Sequence, residues 1–377
     1  MLTNRDIAEL TDWRRDLHRF PEVSRDESGT AARVVQALKP LNPDGLLTNL
    51  GGHGVAALFT GAEPGPTVLF RAELDALPIE ELSTEPHRST IPGKGHLCGH
   101  DGHMALLLGL GRLISRHKPQ KGRVVLMFQP AEEDGSGAAA VTADPAFAQI
   151  KPDWAFAIHN MPGLAFGTGM LKSGTVNCAS QGLKITLHGK TAHASQPEAG
   201  TSPGLVLARL IDTFTHLAPP GPLREGYRLV TVTHARLGEP AFGIAPGLAE
   251  LWLTLRSTED AAMAALKAEA MEIARAQGLP VTFETHDDFA ASVNHPEATA
   301  QIAAALHALN IPHDEGDLPM RASEDFGRFG QPGTRSAMLF LGAGHGPALH
   351  NPDYDFPDAL IQPGVAIFHQ IARQLLG

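Results

Sequence analysis

The stretch His96-Leu97-Cys98-Gly99-His100-Asp101-Gly102-His103 places one thiol, three imidazoles and one carboxylate within eight residues. Its two glycines allow the backbone to bend, so the side chains can converge. Cysteine thiolate and neutral imidazole are preferred ligands of borderline divalent ions such as Zn²⁺. The pattern therefore favours a metal site. The alternative is a polar loop in which Asp101 or the glycines help to start a helix, predicted over residues 103–117.

The overall composition is that of an acidic globular protein with few cysteines. A length of 377 residues is more than one hydrophobic core usually serves, which predicts two domains. The net charge of −11 argues against nucleic acid and anionic membranes as partners. Two cysteines, Cys98 and Cys178, indicate no disulfide framework and fit a reducing compartment. The start of the chain has no secretory signal and no apolar run is long enough to span a membrane. We therefore expect a cytoplasmic protein.

Potential ligands follow several apolar stretches that are predicted to be strands. One stretch ends shortly before Glu132 and Glu133, the next ends at His159, and an earlier one runs into Asp75. Neighbouring carboxylates repel each other, so the pair is either an acidic surface turn or part of a site whose cation offsets the repulsion. In such a site one carboxylate binds the ion and the other acts as a base. Open α/β sheets carry their sites at the carboxyl ends of strands, which favours the second interpretation.

The character of the sequence changes near residue 180. The predicted order from there is β-α-β-β-α-β, which is typical of a two-layer ferredoxin-like domain. The remaining C-terminal part resembles the first part again, so the second domain is inserted into the first. We predict an α/β catalytic domain with a central mixed sheet flanked by helices, and an inserted α+β ferredoxin-like domain. The predicted boundaries are 1–180 and 293–377 for the catalytic domain, and 181–292 for the inserted domain.

The chain resembles the metal-dependent aminoacylase and carboxypeptidase family, and within it the branch of hippurate hydrolases and plant hydrolases of auxin–amino acid conjugates. The resemblance rests on short stretches in the expected order over nearly the whole chain. They are W-R-R-D-L-H-R-F-P-E (13–22), R-A-E-L-D-A-L-P (71–78), residues 96–103, F-Q-P-A-E-E (128–133), His159-Asn160, H-A-S-Q-P (193–197), E-D-F (324–326) and L-H-N-P (349–352). C-G-H-D-G-H combined with F-Q-P-A-E-E is highly specific, whereas H-A-S-x-P alone is weak.

The resemblance implies a dinuclear metal centre in each subunit. Two divalent ions, which can be Zn, Mn, Co or Ni, would share a water or hydroxide. The implied ligands are Cys98, His100, Glu133, His159 and His350. Asp75, Asp101 and His103 would orient these ligands instead of binding an ion themselves.

The resemblance also implies the reaction, which is hydrolysis of N-acyl amino acids (acetyl, benzoyl or aryl-acyl) to a carboxylic acid and a free amino acid. Glu132 would accept the proton of the attacking water and pass it to the departing amine. His193 would stabilise the oxyanion in the site of a partner subunit, and Arg256 would bind the substrate carboxylate. Without the resemblance, His193 would be interpreted as a surface-turn histidine. The alternative for Arg256 is a solvated arginine at the end of a strand. The inserted domain would serve as a lid and dimerisation domain of a homodimer or homotetramer.

Two positions depart from the family pattern, and three other interpretations stay open. Gly243 stands where an asparagine is usual, which removes an amide that would touch the substrate, and Glu73 stands where an aspartate is usual. The chain could instead be a carboxypeptidase or dipeptidase acting on short peptides. It could also use Cys98 as a nucleophile with His100 or His103 as its base. The third interpretation is a non-catalytic binder of acyl-amino acids.

Overall fold

The structure is a computed structural model that describes residues 1–224, 226–330 and 332–377. The chain forms two compact units. The first comprises Met1–Val176, Val293–Leu318 and Asp325–Gly377, and the second comprises Asn177–Ser292 and Pro319–Glu324. Residues 319–324 thus belong to the second unit, although they lie beyond the predicted inserted domain. The functional division into catalytic and inserted domains stays a prediction.

The helices and strands follow in chain order. The α-helices are α1 (Asn4–Arg19), α2 (Ser28–Leu38), α3 (His100–Arg116), α4 (Gly137–Ala143), α5 (Gly204–Leu217), α6 (Asp260–Arg275), α7 (Pro296–Ala308) and α8 (Ile361–Leu376). The strands are β1 (Gly45–Leu50), β2 (Gly54–Thr60), β3 (Glu63–Glu73), β4 (Lys121–Gln129), β5 (Trp154–Pro162), β6 (Gly169–Met170), β7 (Gly174–Asn177), β8 (Ala179–His188), β9 (Ala192–His193), β10 (Arg228–Leu237), β11 (Ile244–Ala245), β12 (Leu248–Ser257), β13 (Val281–Phe289), β14 (Ser292–Asn294), β15 (His313–Asp314) and β16 (Arg335–Gly344). Within residues 1–224, 226–330 and 332–377, no helix is long and apolar enough to cross a membrane.

The first unit is built on a mixed eight-stranded sheet in the order β1-β2-β4-β3-β5-β16-β6-β15. Its central strands β4, β3, β5 and β16 run parallel to one another, whereas β2 pairs with β4 and β6 pairs with β16 in the antiparallel direction. The carboxyl ends of the four parallel strands therefore meet at one edge of the sheet. Ligand sites of open α/β sheets form at this edge.

Helices α3 and α8 pack closely against each other because glycines lie at their contact. A β-carbon on Gly109 would lie 2.6 Å from Val365, and one on Gly364 would lie 2.7 Å from Leu106. On the sheet side of α8, the ring of its residue Phe368 contacts the ring of Phe70 of β3, with 5.0 Å between the ring centroids. Burying a phenylalanine side chain contributes roughly 1.5–3 kcal/mol. This core holds α3, and with it the first turn that carries the histidine motif, against the sheet.

The second unit contains a four-stranded antiparallel sheet in the order β10-β12-β8-β13. In chain order its elements are β8, α5, β10, β12, α6 and β13. The buried residues Leu251, Leu253 and Leu255 of β12 alternate with more exposed ones and share a core with Leu210 of α5 and Leu266 of α6. This arrangement is the predicted β-α-β-β-α-β pattern. The fold-class prediction, a mixed α/β sheet unit together with a ferredoxin-like α+β unit, is confirmed.

Candidate active site

The predicted metal ligands and Glu132 converge at the carboxyl edge of the parallel strands of the first unit. They come from separate segments: Cys98 just before α3, His100 at its first position, Glu132 and Glu133 after β4, His159 within β5, and His350 after β16. Helix α3 begins at residue 100, three residues earlier than expected. Much of the histidine motif is therefore the first helical turn, and Gly99 precedes it with a φ of 90°. Glycine favours this left-handed conformation.

Glu133 lies between two histidines and directs one carboxylate oxygen toward each. Its Oε1 is 3.7 Å from His100 Nε2, and its Oε2 is 3.7 Å from His350 Nε2. The donor atoms of Cys98, Glu133 and His350 lie within 4.8 Å of one another, and so do those of His100, Glu132 and Glu133. The two groups share Glu133, as expected for a carboxylate placed between two cation positions.

The histidine rings are oriented by backbone carbonyl groups. The Nδ1–H of His100 donates to the carbonyl oxygen of Asp75 at 2.8 Å, and that of His159 donates to the carbonyl oxygen of Asn160 at 2.8 Å. With Nδ1 as the donor, Nε2 is the nitrogen of each ring that offers a lone pair once it carries no proton. The Nε2 of His159 lies 3.6 Å from Cys98 Sγ. Bonds of this kind are what orients histidine ligands in metal proteins.

Asp75 contacts two of the predicted ligands. Its Oδ2 accepts the backbone N–H of Glu133 at 2.9 Å and the hydroxyl of Ser24 at 2.7 Å, while its carbonyl oxygen holds His100. A single buried residue, two positions beyond β3, therefore fixes one predicted ligand from α3 and one from the segment after β4. These contacts support the orienting role of Asp75, which stays a prediction.

The structure distinguishes His103 from Asp101. Both ring nitrogens of His103 are engaged, because Nδ1 donates to Glu73 at 2.8 Å and Nε2 accepts the Asn160 N–H at 3.1 Å. Asp101 instead accepts from Arg14 at 3.2 Å and from His18 at 2.9 Å, both on α1. Within the described parts of the chain, no hydrogen bond joins Asp101 to a predicted ligand. Successive helical residues point about 100° apart, so Asp101 faces α1 while His100 faces the cluster.

Electrostatics favour a bound cation at this cluster. Burial, together with Glu133, raises the pKa of the Cys98 thiol well above its ordinary value. Burial, followed by the effect of His103, lowers the pKa of His159 to about 3, so its ring is neutral. Among the described residues none forms a hydrogen bond with the buried Nε2 of His100. A divalent ion would offset the carboxylate repulsion and favour the thiolate, so the thiol, imidazole and carboxylate donors fit such an ion. The raised thiol pKa argues against Cys98 as an activated nucleophile.

The backbone is strained at two points of the cluster. Ala131, just before Glu132, has a φ of 49°, and His350 has a φ of 67°. Such conformations cost non-glycine residues about 1–3 kcal/mol each and concentrate at functional sites. The turn at Ala131 is held because its N–H donates to Glu27 Oε1 at 2.8 Å.

Asn160 and Glu73 have no role in the sequence-based prediction, yet both lie at the cluster. The side-chain amide of Asn160 donates to the Tyr354 hydroxyl at 2.6 Å. A β-carbon on Gly99 would lie 2.3 Å from Asn160 Oδ1, which explains the glycine of the C-G-H motif. Glu73 stands two positions before Asp75 at the end of β3. Glu73 is the last residue of a parallel strand, and a carboxylate in that place is the signal that points to it.

The predicted substrate-binding residues belong to the second unit. His193 is exposed, and its Nδ1 accepts the N–H of Ser195 at 3.2 Å, so in the neutral ring Nε2 carries the proton. Gly243 is adjacent, because its carbonyl oxygen accepts the N–H of Ala194 at 3.0 Å. In a separate part of this unit, Arg256 Nη1 donates to the Arg321 carbonyl and to Ser323 Oγ, each at 2.8 Å.

The sequence model of the family described as Peptidase family M20/M25/M40 matches residues 69–374. The chain belongs to this family. The predicted resemblance is thereby confirmed, as is the prediction of an enzyme. The chain is a metal-dependent hydrolase of the M20/M25/M40 family, an enzyme family that acts on small-molecule amides.

Relatives within the M20/M25/M40 family match almost the whole chain. It is 30% identical over 381 residues to an N-acetyl-L-cysteine deacetylase of Bacillus subtilis (strain 168), covering 98% of this chain and 88% of the relative. It is 29% identical over 380 residues to a hippurate hydrolase of Campylobacter jejuni, covering 98% and 97%. A dinuclear metal-binding peptidase of the M20 family from Bacillus subtilis has the same fold, with a TM-score of 0.82, 24% identity and coverage of 100% and 99%.

Proposed function

We propose that this chain hydrolyses the amide bond of N-acyl amino acids, with acetyl, benzoyl or other aryl-acyl groups, and releases a carboxylic acid and a free amino acid. The observation that carries the proposal is the convergence of Cys98, His100, Glu133, His159 and His350, with Glu132 at the border of this cluster beside His100. Relatives named for deacetylation of N-acetyl-L-cysteine and for hydrolysis of hippurate support this substrate class.

The five donor residues would hold two divalent ions, such as Zn, Mn, Co or Ni. Glu133 would contribute an oxygen on each side, since its two oxygens face His100 and His350. When bound, such ions supply Lewis acidity that makes a water more acidic and an amide carbonyl more electrophilic. The similar Bacillus subtilis structure is named as a dinuclear metal-binding peptidase, which supports a pair of ions here.

Glu132 is the proposed general base and acid. It is buried, and its Oε2 lies 3.9 Å from His100 Nε2, so it borders the donor cluster. Adjacent Glu133 faces both histidines, which leaves Glu132 for proton transfer. Glu132 would accept the proton of the attacking water and then deliver it to the nitrogen of the departing amine.

The second unit would supply the substrate contacts. His193, with the proton on Nε2, is suited to donate a hydrogen bond to the oxyanion of the tetrahedral intermediate. Arg256 would bind the substrate carboxylate, since its planar guanidinium matches a carboxylate. We further propose that the protein is a homodimer or homotetramer formed through the second unit, in which His193 serves the neighbouring subunit's site.

A metal-removal and substrate experiment tests the proposal. The protein is stripped with a chelator, reloaded separately with Zn²⁺, Mn²⁺, Co²⁺ or Ni²⁺, and assayed on N-acetyl, N-benzoyl and indoleacetyl amino acids beside unblocked dipeptides. Activity should vanish on stripping, return on reloading and favour the acylated substrates. Full activity after complete metal removal would exclude the proposed chemistry. Preference for unblocked dipeptides would support a dipeptidase instead.

A further inference from the structure

Glu73 is a buried carboxylate at the end of β3 that is not among the proposed ion ligands. It forms an ion pair with the fully buried Arg71. Arg71 is itself held by Asp325 at 2.8 Å and by Gln129 at 2.9 Å. Burial alone would raise the pKa of Glu73, but Arg71 and His103 outweigh it and lower that pKa well below its ordinary value. Glu73 is therefore a charged acceptor in a fixed position.

The second carboxylate oxygen of Glu73 fixes the ring of His103. It accepts the His103 Nδ1–H at 2.8 Å, which leaves the Nε2 lone pair to accept the backbone N–H of Asn160 at 3.1 Å. These bonds define the tautomer and the rotation of the His103 ring. The ring then packs edge-on against that of His159, with 4.7 Å between centroids and 70° between planes.

The backbone of Asn160 connects His103 to His159. Its N–H is bound by His103, and its carbonyl oxygen accepts the His159 Nδ1–H at 2.8 Å. The side chain of Asn160 is anchored separately by Tyr354. The ring of His159 is thus restrained in two ways. It contacts the ring of His103 directly, and it donates to the carbonyl oxygen of Asn160, whose N–H is bound to His103.

We propose that Glu73 is a positioning residue that acts through His103 and the Asn160 backbone to aim His159 Nε2 at the metal centre. The inference rests on the proposed function, because it requires His159 to bind an ion. Groups that orient histidine ligands in this way typically change metal affinity or activity by about 10–100-fold when they are removed. Glu73 would exert this effect without touching the ion or the substrate.

The first unit contains a similar carboxylate–histidine pair, Asp101 and His18, that has no hydrogen-bond connection to a proposed ligand among the residues that the structure describes. Asp101 is also a buried carboxylate beside an arginine, Arg14, and it also accepts from a histidine Nδ1, that of His18, at 2.9 Å. Its described hydrogen bonds go to α1 and reach no proposed ligand. Asp101→Asn therefore removes a comparable buried ion pair without breaking a described hydrogen bond to a proposed ligand, which makes it the matched control for lost stability.

The first experiment compares Glu73→Gln with Asp101→Asn in the full-length protein. Each variant is stripped, titrated with Co²⁺ against a competing chelator, examined by visible absorption and unfolded thermally. Glu73→Gln should bind Co²⁺ about 10–100-fold more weakly and show a changed cobalt spectrum. Asp101→Asn should lose stability and keep the wild-type cobalt affinity and spectrum.

A second set of variants tests the route through His103 and remains decisive should Glu73→Gln fail to fold. His103→Leu should weaken Co²⁺ binding as Glu73→Gln does, whereas His103→Gln should be closer to wild type because its amide can both donate and accept. The double variant Glu73→Gln/His103→Leu should lose no more affinity than either single variant, since both remove one connection.

Two outcomes would count against these ideas and can be told apart. Wild-type Co²⁺ affinity and spectrum in Glu73→Gln or in His103→Leu, with wild type binding the ion, would overturn the positioning role alone. A wild-type protein that binds no Co²⁺, Zn²⁺ or Mn²⁺ would overturn the proposed function and this inference together.

Discussion

The donor cluster of the first unit and the substrate-binding residues proposed in the second unit are held in different ways. His100 and His159 are buried and bonded to backbone carbonyls, and the segments around them are joined by residues far apart in sequence, such as Asp75 and Glu133. His193 is exposed, and its hydrogen-bond partner Ser195 is two residues away. The fold therefore preorganises the cluster, whereas His193 is set by its local turn. Variants of the two regions should accordingly differ in which property they change.

The largest effect is expected from Glu132→Gln. Removing a general base typically lowers turnover by about 10²–10⁴-fold, and here the same group also serves as the acid. Metal content, measured by elemental analysis, should stay at the wild-type level because Glu132 is not a proposed ligand. Glu133→Gln is the paired control and should lose metal. Turnover of Glu132→Gln within tenfold of wild type would show that Glu132 does not transfer the proton.

His193→Ala should lower kcat by about 10²–10³-fold, the usual cost of losing an oxyanion donor. Metal content should not change, because His193 lies in the second unit. His188→Ala in the same unit is the control, since His188 bonds Thr282 and has no proposed role. A loss of bound metal in His193→Ala would contradict the idea that His193 contacts the substrate and has no part in metal binding.

Alkaline pH should weaken the first unit selectively. Burial lowers the pKa of His18, but Asp101 and Glu81 outweigh it and raise that pKa from 6.5 to about 9. The contribution of protonated His18 to the free energy of unfolding is therefore complete below pH 6.5 and is lost as the pH rises through about 9. This shift in the pKa of His18 corresponds to roughly 3 kcal/mol in the free energy of unfolding.

Hydrogen exchange at pH 6.5 and pH 9, corrected for intrinsic rates, would check this expectation. Protection should fall in α1 and α3 and change less in α5 and α6. His18→Gln should remove most of the difference. Equal losses of protection in both units, or an unchanged pH dependence in His18→Gln, would show that His18 is not the responsible group.

Arg256→Met should lower kcat/KM by about 10–100-fold, since hydrogen bonds to charged groups contribute about 1.5–3 kcal/mol. The loss should appear mainly in KM and should disappear for substrates whose carboxylate is esterified. Arg256→Lys should recover only part of the loss, because an ammonium lacks the planar donor pair. Arg236→Met, which removes an exposed arginine paired with Glu239, is the control. An equal penalty on ester substrates would exclude carboxylate recognition.

Gly243→Asn should have the smallest effect. A β-carbon at this position would meet nothing within 4 Å, so the substitution should leave folding unchanged. If the asparagine amide reaches the substrate as the family resemblance implies, KM should change by about two- to tenfold, the range of one neutral hydrogen bond. Steady-state kinetics on the acyl panel would measure this. Unchanged KM values for every substrate would mean that position 243 does not contact the substrate.

Much of the architecture follows from local patterns. Apolar runs ending at particular residues predicted β4 and β5, and the order of elements after residue 180 predicted the ferredoxin-like unit. Short pieces such as β6, β9 and β15 could not be predicted in this way, since two residues carry no measurable periodicity. The start of α3 was placed too late because Gly99 and the histidines resemble a loop in isolation, although they cap and begin the helix.

The candidate site likewise has features that the sequence predicted and features that only the packing decided. Residue types and strand ends pointed to the histidine motif, to Glu132 with Glu133 and to His159, because a thiol, imidazoles and paired carboxylates are typical of metal sites. The full set of five proposed donors, His350 included, came from the family resemblance. They were not enough to separate Asp101 from His103, which stand in the same turn of α3. Only the packing of α1 against α3 turns Asp101 toward Arg14 and His18.

The sequence by itself determined the donor chemistry, the order of the elements and the family, because these depend on residue type and on spacing along the chain. The tertiary structure alone decided which donors face each other, which nitrogen of each histidine is left for an ion, and that Glu73 reaches His159 through His103 and Asn160. Those properties depend on hydrogen bonds between segments as far apart as Glu73 and Asn160, and no local pattern encodes the distance between such residues.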